Sequence, residues 1–369
     1  MSSSGAVGSR WKEKLPPMVI TAGIVLGAVS AVLVKLGNPP NMGFCMACFE
    51  RDIAGAVGLH RAAVVQYIRP EILGIILGAA ISAFFGKEAV ARSGSSPAVR
   101  FILGMFVMEG ALVFLGCPTR MVLRLGGGDG NALFGLAGFT MGIGSGTIFL
   151  RKGSSLGRSY REKFSGSSLI MPLLAIGGVI LLFTKPSFIF FSEKGPGSMH
   201  APILVSLGAG ILAGVLGQRS RLCFVGGIRD MILFRSPYLL SGMVGTLVGV
   251  FVLNIIFGFF HMGFAGQPVA HSNQLWNLLS MMLVGLGSVM LGGCPFRQLV
   301  LSAQGNGDSI VTVMGMIAGA AFSHNFTAAA SPAGVTPAGK IAVILGLMVC
   351  LIVGLKTKEG LTPISHKTL

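Results

Sequence analysis

One pattern is written twice in this chain. Gly43-Phe44-Cys45 with Arg51-Asp52 returns as Arg221-Leu222-Cys223 with Arg229-Asp230. Gly116-Cys117-Pro118-Thr119-Arg120 returns as Gly293-Cys294-Pro295-Phe296-Arg297. The offsets are 178 and 177 residues, so the register holds over more than a hundred positions. A duplication of that length restricts the fold to two matched halves, and both copies of the pattern carry thiols and guanidinium groups.

Composition says which kind of duplicated fold this is. Apolar residues make up 52% of the 369 and charged residues only 11%, too few to cover the surface of a soluble protein of this size. Apolar runs of 15 to 22 residues recur along the whole chain, and most are long enough to cross a bilayer. The 56 glycines fit closely packed membrane helices. The net charge of +16 does not indicate nucleic acid, because the Lys and Arg residues sit in short loops between apolar runs and no basic block is interleaved with aromatics. The first apolar run follows Arg10, Lys12 and Lys14 as a signal peptide would, but its length and its place in the repeat make it a retained helix.

Ten spans are expected, at 17–36, 70–86, 98–115, 131–150 and 169–183, then at 201–216, 236–257, 275–291, 310–327 and 340–355. With a cytoplasmic N-terminus, nineteen of the 28 Lys and Arg fall on the inner side, which places both termini in the cytoplasm. The repeat unit contains five crossings, an odd number, so the second half is inverted relative to the first. The expected fold is therefore all-α and polytopic, with about ten spans in two inverted repeats. The first half covers 1–168, a linking helix and loop 169–200, the second half 201–338, and a final helix and tail 339–369. The thiol–arginine blocks, each flanked by Gly or Pro, read as re-entrant elements that meet centrally, two entering from each face. Irregular backbone at that depth is tolerated only where it lines a cavity or packs within protein. Gly128–Gly130 and Gly305–Gly307 correspond and supply the turns by which the elements leave.

Four arginines placed by the repeat, Arg51, Arg229, Arg120 and Arg297, suit an anion, since guanidinium stays charged and offers a planar fork of donors. Arg51 and Arg229 have an alternative, a bridge to the adjacent Asp52 and Asp230. Cys117 and Cys294, each held between Gly and Pro, are candidate path thiols. Cys223 and Cys45 share a register, and Cys48 has no counterpart. A thiol is soft and polarizable, so its pairing with arginine fits an anion with a soft atom, reduced sulfur or selenium. A hard oxyanion is better served by hydroxyls and amides. Cys45-x2-Cys48 also has redox or metal spacing, but there is no second CxxC or nearby histidine cluster to complete a metal site, and no cofactor is expected. Glu109, inside a span, is either a proton or ion partner or a mate for an arginine such as Arg120. Cys350, in mid-span, reads as packing.

At Gly43–Asp52, Arg221–Asp230 and the two Gly-Cys-Pro-x-Arg blocks the sequence resembles the YeeE/YedE family of bacterial inner-membrane transporters, over almost its whole length. The stretch 38–52 resembles the YedE branch, labelled a selenium transporter; other members take up thiosulfate. The resemblance implies a pseudo-twofold helical fold with a central constriction lined by cysteines. Here these would be Cys117, Cys223 and Cys294, with Cys45 or Cys48 at the outer mouth. It also implies a TusA-like sulfur carrier as cytoplasmic partner. The expectation is a transporter rather than an enzyme, passing a small inorganic anion inward through a lipid bilayer from Cys45/Cys48 to Cys117, then to Cys294 and Cys223. Two alternatives are a membrane thiol-disulfide protein using Cys45 and Cys48, and a scaffold docking a carrier on the basic loop 151–168.

Overall fold

The computed structural model describes residues 17–157, 159–161 and 166–357. Arg10, Lys12 and Lys14, the C-terminal tail from 358 and part of the loop 151–168 lie outside the described residues. The regular structure of the described residues is helical apart from one two-residue ladder and isolated bridges. The first half contains α1 (Pro17–Lys35), α2 (Met46–Ala56), α3 (Pro70–Phe85), α4 (Pro97–Phe114), α5 (Pro118–Gly126), α6 (Asn131–Arg151) and α7 (Ser167–Thr184). The second contains α8 (Ile203–Ser220), α9 (Phe224–Phe234), α10 (Tyr238–Ile256), α11 (Gln274–Leu291), α12 (Pro295–Ala303), α13 (Gly307–Asn325) and α14 (Pro337–Lys356). The ladder joins β1 (Arg92–Ser93) to β2 (Tyr160–Arg161).

Each half thus repeats one order of long and short helices, and the short ones, α2, α5, α9 and α12, are the elements expected to be re-entrant. At 9 to 11 residues none of them can cross a bilayer. Seven helical stretches of the described residues are long and apolar enough to do so by themselves. Many lipid-sized side chains point outward, among them Phe84, Leu204 and Ile256, the surface of a multi-pass membrane protein.

Glycines set how the long helices pair. A Cβ at Gly23 would stand 2.0 Å from the Gly242 carbonyl oxygen and one at Gly27 2.1 Å from that of Thr246, so α1 and α10 run parallel with their backbones in contact. By the same measure Gly74 meets Leu207 and Gly78 meets Ile211, which makes α3 parallel to α8. Gly138 and Gly142 meet Leu278 and Met282, and Gly315 and Gly319 meet Phe101 and Met105, which fixes α6 on α11 and α13 on α4. Without a hydrophobic drive between helices in lipid, this close approach supplies the packing. Parallel pairing also fixes the symmetry. Consecutive spans alternate in direction, so α8 and α10 are antiparallel. With α1 parallel to α10, α1 is antiparallel to its own repeat mate α8, and the halves are inverted.

The final helices break the twofold. α7 packs on α3 and α12, whereas α14 packs on α4 and α11. The apolar core runs through the centre of the bundle and includes Cys45, Cys48, Cys117, Cys223, Cys294 and Cys350.

Candidate functional site

The four short helices meet in the interior. α2 touches α12 and α5 touches α9, so each re-entrant element abuts one from the other half. Each begins at a cysteine. Cys45, Cys117, Cys223 and Cys294 are the N-cap residues of α2, α5, α9 and α12, all with extended backbone, at φ −141°, −81°, −152° and −68°. Proline occupies the first turn of α5 and α12, where its missing N–H costs nothing. Cysteine is not among the usual N-cap residues. Its presence at four repeat-related caps puts a sulfur at four helix N-termini, where free amides and the positive end of the helix dipole favour negative charge.

The thiols form two clusters. In the first, Cys45 Sγ lies 2.6 Å from Cys48 Sγ and accepts from the Cys48 amide at 3.3 Å. Cys45 also reaches Cys117, whose sulfur faces the backbone amides of Met46, Ala47 and Arg120. In the second, Cys223 Sγ lies 3.8 Å from Cys294 Sγ and accepts from the amides of Gly226 at 3.3 Å and Cys294 at 3.5 Å. The clusters are the same construction with one difference. Gly226 stands where the repeat puts Cys48, so Cys48 is the added thiol and Cys45 is the repeat thiol.

Arginines stand beside both clusters. Arg120 is fully buried and donates to the carbonyls of Asn41, Leu115 and Val269, with Nη1 4.0 Å from Cys48 Sγ. Its guanidinium makes no ion pair among the described residues, so its charge is positioned but not neutralised. Arg297 is half-buried and donates to Gly217 O at 3.3 Å. It lines a polar cavity of about 450 Å³ together with Lys87, Arg92, Gln218 and Arg221. On the other face a cavity of about 290 Å³ is lined by Asn38, Asn41, Asn254 and His261. It lies under two folded-back loops. His261 and Gly263 donate to Gly127 and Gly128 carbonyls, and Gln66 and Gly197 tie the loop before α3 to that before α8. The larger cavity thus reaches Arg297, and the smaller reaches Asn41, whose carbonyl accepts from Arg120.

The remaining sequence candidates divide. Arg51 is bound to Asp52 at 2.6 Å, and Asp52 also accepts from Arg69 at 2.7 Å, so Arg51 takes the bridging alternative. Arg229 bridges Asp230 at 2.9 Å at a more exposed position. Glu109 is buried, with Oε2 unpartnered, and no ion pair among the described residues joins it to Arg120. Asp129 and Asp308, the carboxylates nearest in sequence to Arg120 and Arg297, go elsewhere. Asp129 pairs with Arg124 at 2.6 Å, and Asp308 approaches Arg100 at 3.9 Å. The turn glycines behave as expected, with φ +90° at Gly128 and +103° at Gly305. Sequence reasoning missed Arg69, Arg124, Asn41 and Glu50. A signal for Arg124 was available, an aspartate five residues on across a glycine-rich turn. Among the described residues no group of His, Cys, Asp or Glu is arranged to hold a metal ion.

A family model described as "Sulphur transport" matches residues 219–357, the segment from the end of α8 through α14 that carries Cys223 and Cys294. A thiosulfate transporter, TsuA, of Spirochaeta thermophila is 33% identical over 92 residues, 25% of this chain and 27% of that protein. The match thus spans about a quarter of the transporter's length. An uncharacterized protein of Methanocaldococcus jannaschii, MJ1590, is 30% identical over 104 residues, covering 25% of this chain and 97% of that protein. With the duplicated thiol blocks and the inverted helical fold, these matches place the chain in the YeeE/YedE family of sulphur-transport membrane proteins.

Proposed function

We propose that this protein carries a reduced sulfur or selenium anion of the thiosulfate class inward across the bacterial inner membrane, with both termini on the cytoplasmic side. The observation that carries the reading is the set of four repeat-related cysteines, each at the N-cap position of a short helix, grouped in two clusters beside Arg120 and Arg297. The cations and helix N-termini attract and partly neutralise the anion. The thiols offer its soft atom weak S–H donors and polarizable contacts, so it is held at each stage without being trapped, as conduction requires.

The ion enters through the vestibule at Asn38 and Asn41, meets Arg120 and the Cys45–Cys117 cluster, and passes to Cys294 and Cys223. It leaves through the vestibule at Arg297, where Lys87, Arg92 and Arg221 outnumber the one carboxylate, Glu88, which pairs with Arg221, and keep the potential attractive to the exit. No covalent intermediate is required. A TusA-like carrier would receive the ion at that basic rim, which cross-linking from Arg221→Cys can test.

Uptake of labelled thiosulfate by cells depending on this protein tests the reading, with selenite as competitor. Loss of uptake in Cys117→Ala and in Cys294→Ala, with the protein present in the membrane, is the expected result, and the competition order names the substrate. Unchanged uptake in both variants would defeat it. The 2.6 Å approach of Cys45 and Cys48 favours one other reading, a membrane thiol-disulfide protein. That reading requires Cys48→Ser to abolish function while Cys117 and Cys294 are dispensable.

A further inference from the structure

Glu50 lies on α2 between the thiol Cys48 and the ion-paired Arg51, yet it takes part in neither arrangement. It is 1% exposed, and among the described residues neither of its carboxyl oxygens has a hydrogen-bond partner. It is a lining group of an apolar cavity of about 340 Å³ between α2, α3, α7, α12 and α13. The walls are aliphatic, with Ile72 and Ile76 from α3, Met171 from α7, Leu299 from α12 and Ile317 from α13. The cavity also reaches Leu173 and Leu174, which are exposed on the outer surface of α7. An ionised carboxylate with no donor in such surroundings is costly, so they favour the protonated form, and an anion close by favours it further.

Titratable or charged residues on the elements around Glu50 are Glu71 on α3, Arg100 and Glu109 on α4, Cys117, Arg120 and Arg124 at the start of and on α5, Arg297 on α12, and Asp308 and His324 on α13. On α2 itself Arg51 and Asp52 are paired with each other. α7 has none. Of these, Cys117, a thiol of the first cluster, is the group in electrostatic reach of Glu50. An anion at that cluster would therefore sit beside the carboxyl. Two like charges there, with low dielectric on the cavity side, repel strongly. In the second half the repeat puts Ile228 at this position, so only the first cluster has the device.

We infer that Glu50 is a proton site linked to the anion site, so that the Cys45–Cys117 cluster holds its anion only while the carboxyl is protonated. Linkage is reciprocal: the proton favours the anion, and the anion favours the proton by the same factor. The proton is taken from the phase that delivers the anion. It is released when the anion moves on to Cys294 and Cys223, where Ile228 offers no carboxyl. The result is anion entry coupled to a proton. This inference rests on the proposed anion transport.

The test uses the full-length protein in proteoliposomes, with thiosulfate and the apolar reagent N,N′-dicyclohexylcarbodiimide as probes. The carbodiimide takes up the carboxyl proton on nitrogen as the carboxyl oxygen adds to its central carbon, so it reports protonated carboxyls reachable from an apolar phase. Wild type should be labelled at Glu50, less at pH 8 than at pH 6, and thiosulfate should restore labelling at pH 8. Thiosulfate affinity should fall about tenfold between pH 6 and pH 8, a moderate coupling factor. Glu50→Gln, permanently neutral, should bind thiosulfate independently of pH and move it without proton entry. Glu50→Asp should keep the pH dependence, which separates titration from packing. Absence of an adduct at Glu50, labelling indifferent to thiosulfate, or proton entry with thiosulfate in Glu50→Gln would each overturn the inference. Thiosulfate transport by wild type with a Glu50 that is never labelled would defeat the inference alone. A wild type that neither binds nor moves thiosulfate defeats the transport reading, and labelling indifferent to thiosulfate then defeats the linkage with it.

Discussion

Replacing Asp129 by asparagine should destabilise the protein severely, and adding Arg124→Leu should largely repair it. Asp129 accepts from Arg124 Nε at 2.6 Å, from the Asn131 amide at 2.9 Å and from Asn131 Nδ2 at 2.8 Å. Neither side chain of the ion pair is exposed to any measurable extent. Without the carboxylate, Arg124 keeps only the Phe114 carbonyl at 2.8 Å and the Phe114 ring at 4.2 Å, neither of which cancels a buried charge. Breaking a buried pair from one side costs about 3–5 kcal/mol, whereas replacing both partners by a well-packed neutral pair is often neutral. The second half already makes the neutral choice, since Leu301 and Asn306 stand where the repeat puts Arg124 and Asp129. At roughly 2–4 °C per kcal/mol, Asp129→Asn should lower the melting temperature in detergent by about 6–20 °C. Arg124→Leu/Asp129→Asn should return to within a few degrees of wild type. A single variant that melts like wild type, or a double variant no better than the single, would refute the reasoning. The pair ties the end of α5 to the start of α6 and so holds Cys117 and Arg120 in place, which means the single variant should also lose uptake.

Other outcomes are expected. Cys48→Gly installs the residue the second half has at Gly226, and should keep most uptake, while Cys45→Ala should lower it at least about tenfold, the weight of a single lost interaction of 1.4 kcal/mol; transport assays on both decide which thiol is in the path. Gly138→Val forces a Cβ to 1.9 Å from the Leu278 carbonyl oxygen, backbone against backbone, and should separate α6 from α11 at a cost of more than the roughly 1–3 kcal/mol usual for overpacking, read as loss of a monodisperse peak in detergent. His271, in the loop ahead of α11, is held neutral by burial, with Nε2 donating to Val113 O at 2.8 Å and Nδ1 accepting from the Asn273 amide at 3.3 Å. Its pKa is depressed in the folded state, so its contribution is intact above the ordinary value of about 6.5 and is lost as pH falls below it. Hydrogen-exchange protection in the loop 258–274, taken against the intrinsic rate at each pH, should therefore fall between pH 7 and pH 5, and His271→Phe should remove that fall.

The repeat and the apolar runs were enough to place the ten long helices and their inversion. An odd number of crossings between Cys45 and Cys223 can be counted from hydropathy alone, and the glycines that set the parallel pairing already stood at small-residue spacing. The short helices were legible as interruptions, but their starts were not. Each of them begins directly after its cysteine, and at Cys45 and Cys223 the thiol itself accepts a first-turn amide as the cap. What the sequence hid was long-range. Arg69 finds Asp52 across a loop, and Arg120 finds the Asn41 and Val269 carbonyls on two other segments; spacing carries no trace of such partners. Nothing in the spacing of Glu50-Arg51-Asp52 showed that α2 is almost wholly buried and that its three charges divide between an ion pair and an isolated acid. Glu109 was conspicuous for its place inside a span but has no described tie to the thiols.

The most direct measurement is thiosulfate uptake into proteoliposomes containing purified wild type, Cys117→Ala or Cys294→Ala, each shown to be folded by its melting curve. The two residues come from different halves and different clusters, so one path through both requires that loss of either stop the flux. Saturable uptake by wild type and its absence in both variants is the predicted result. Wild-type rates in either folded variant would contradict a thiol-lined path through the centre of the molecule.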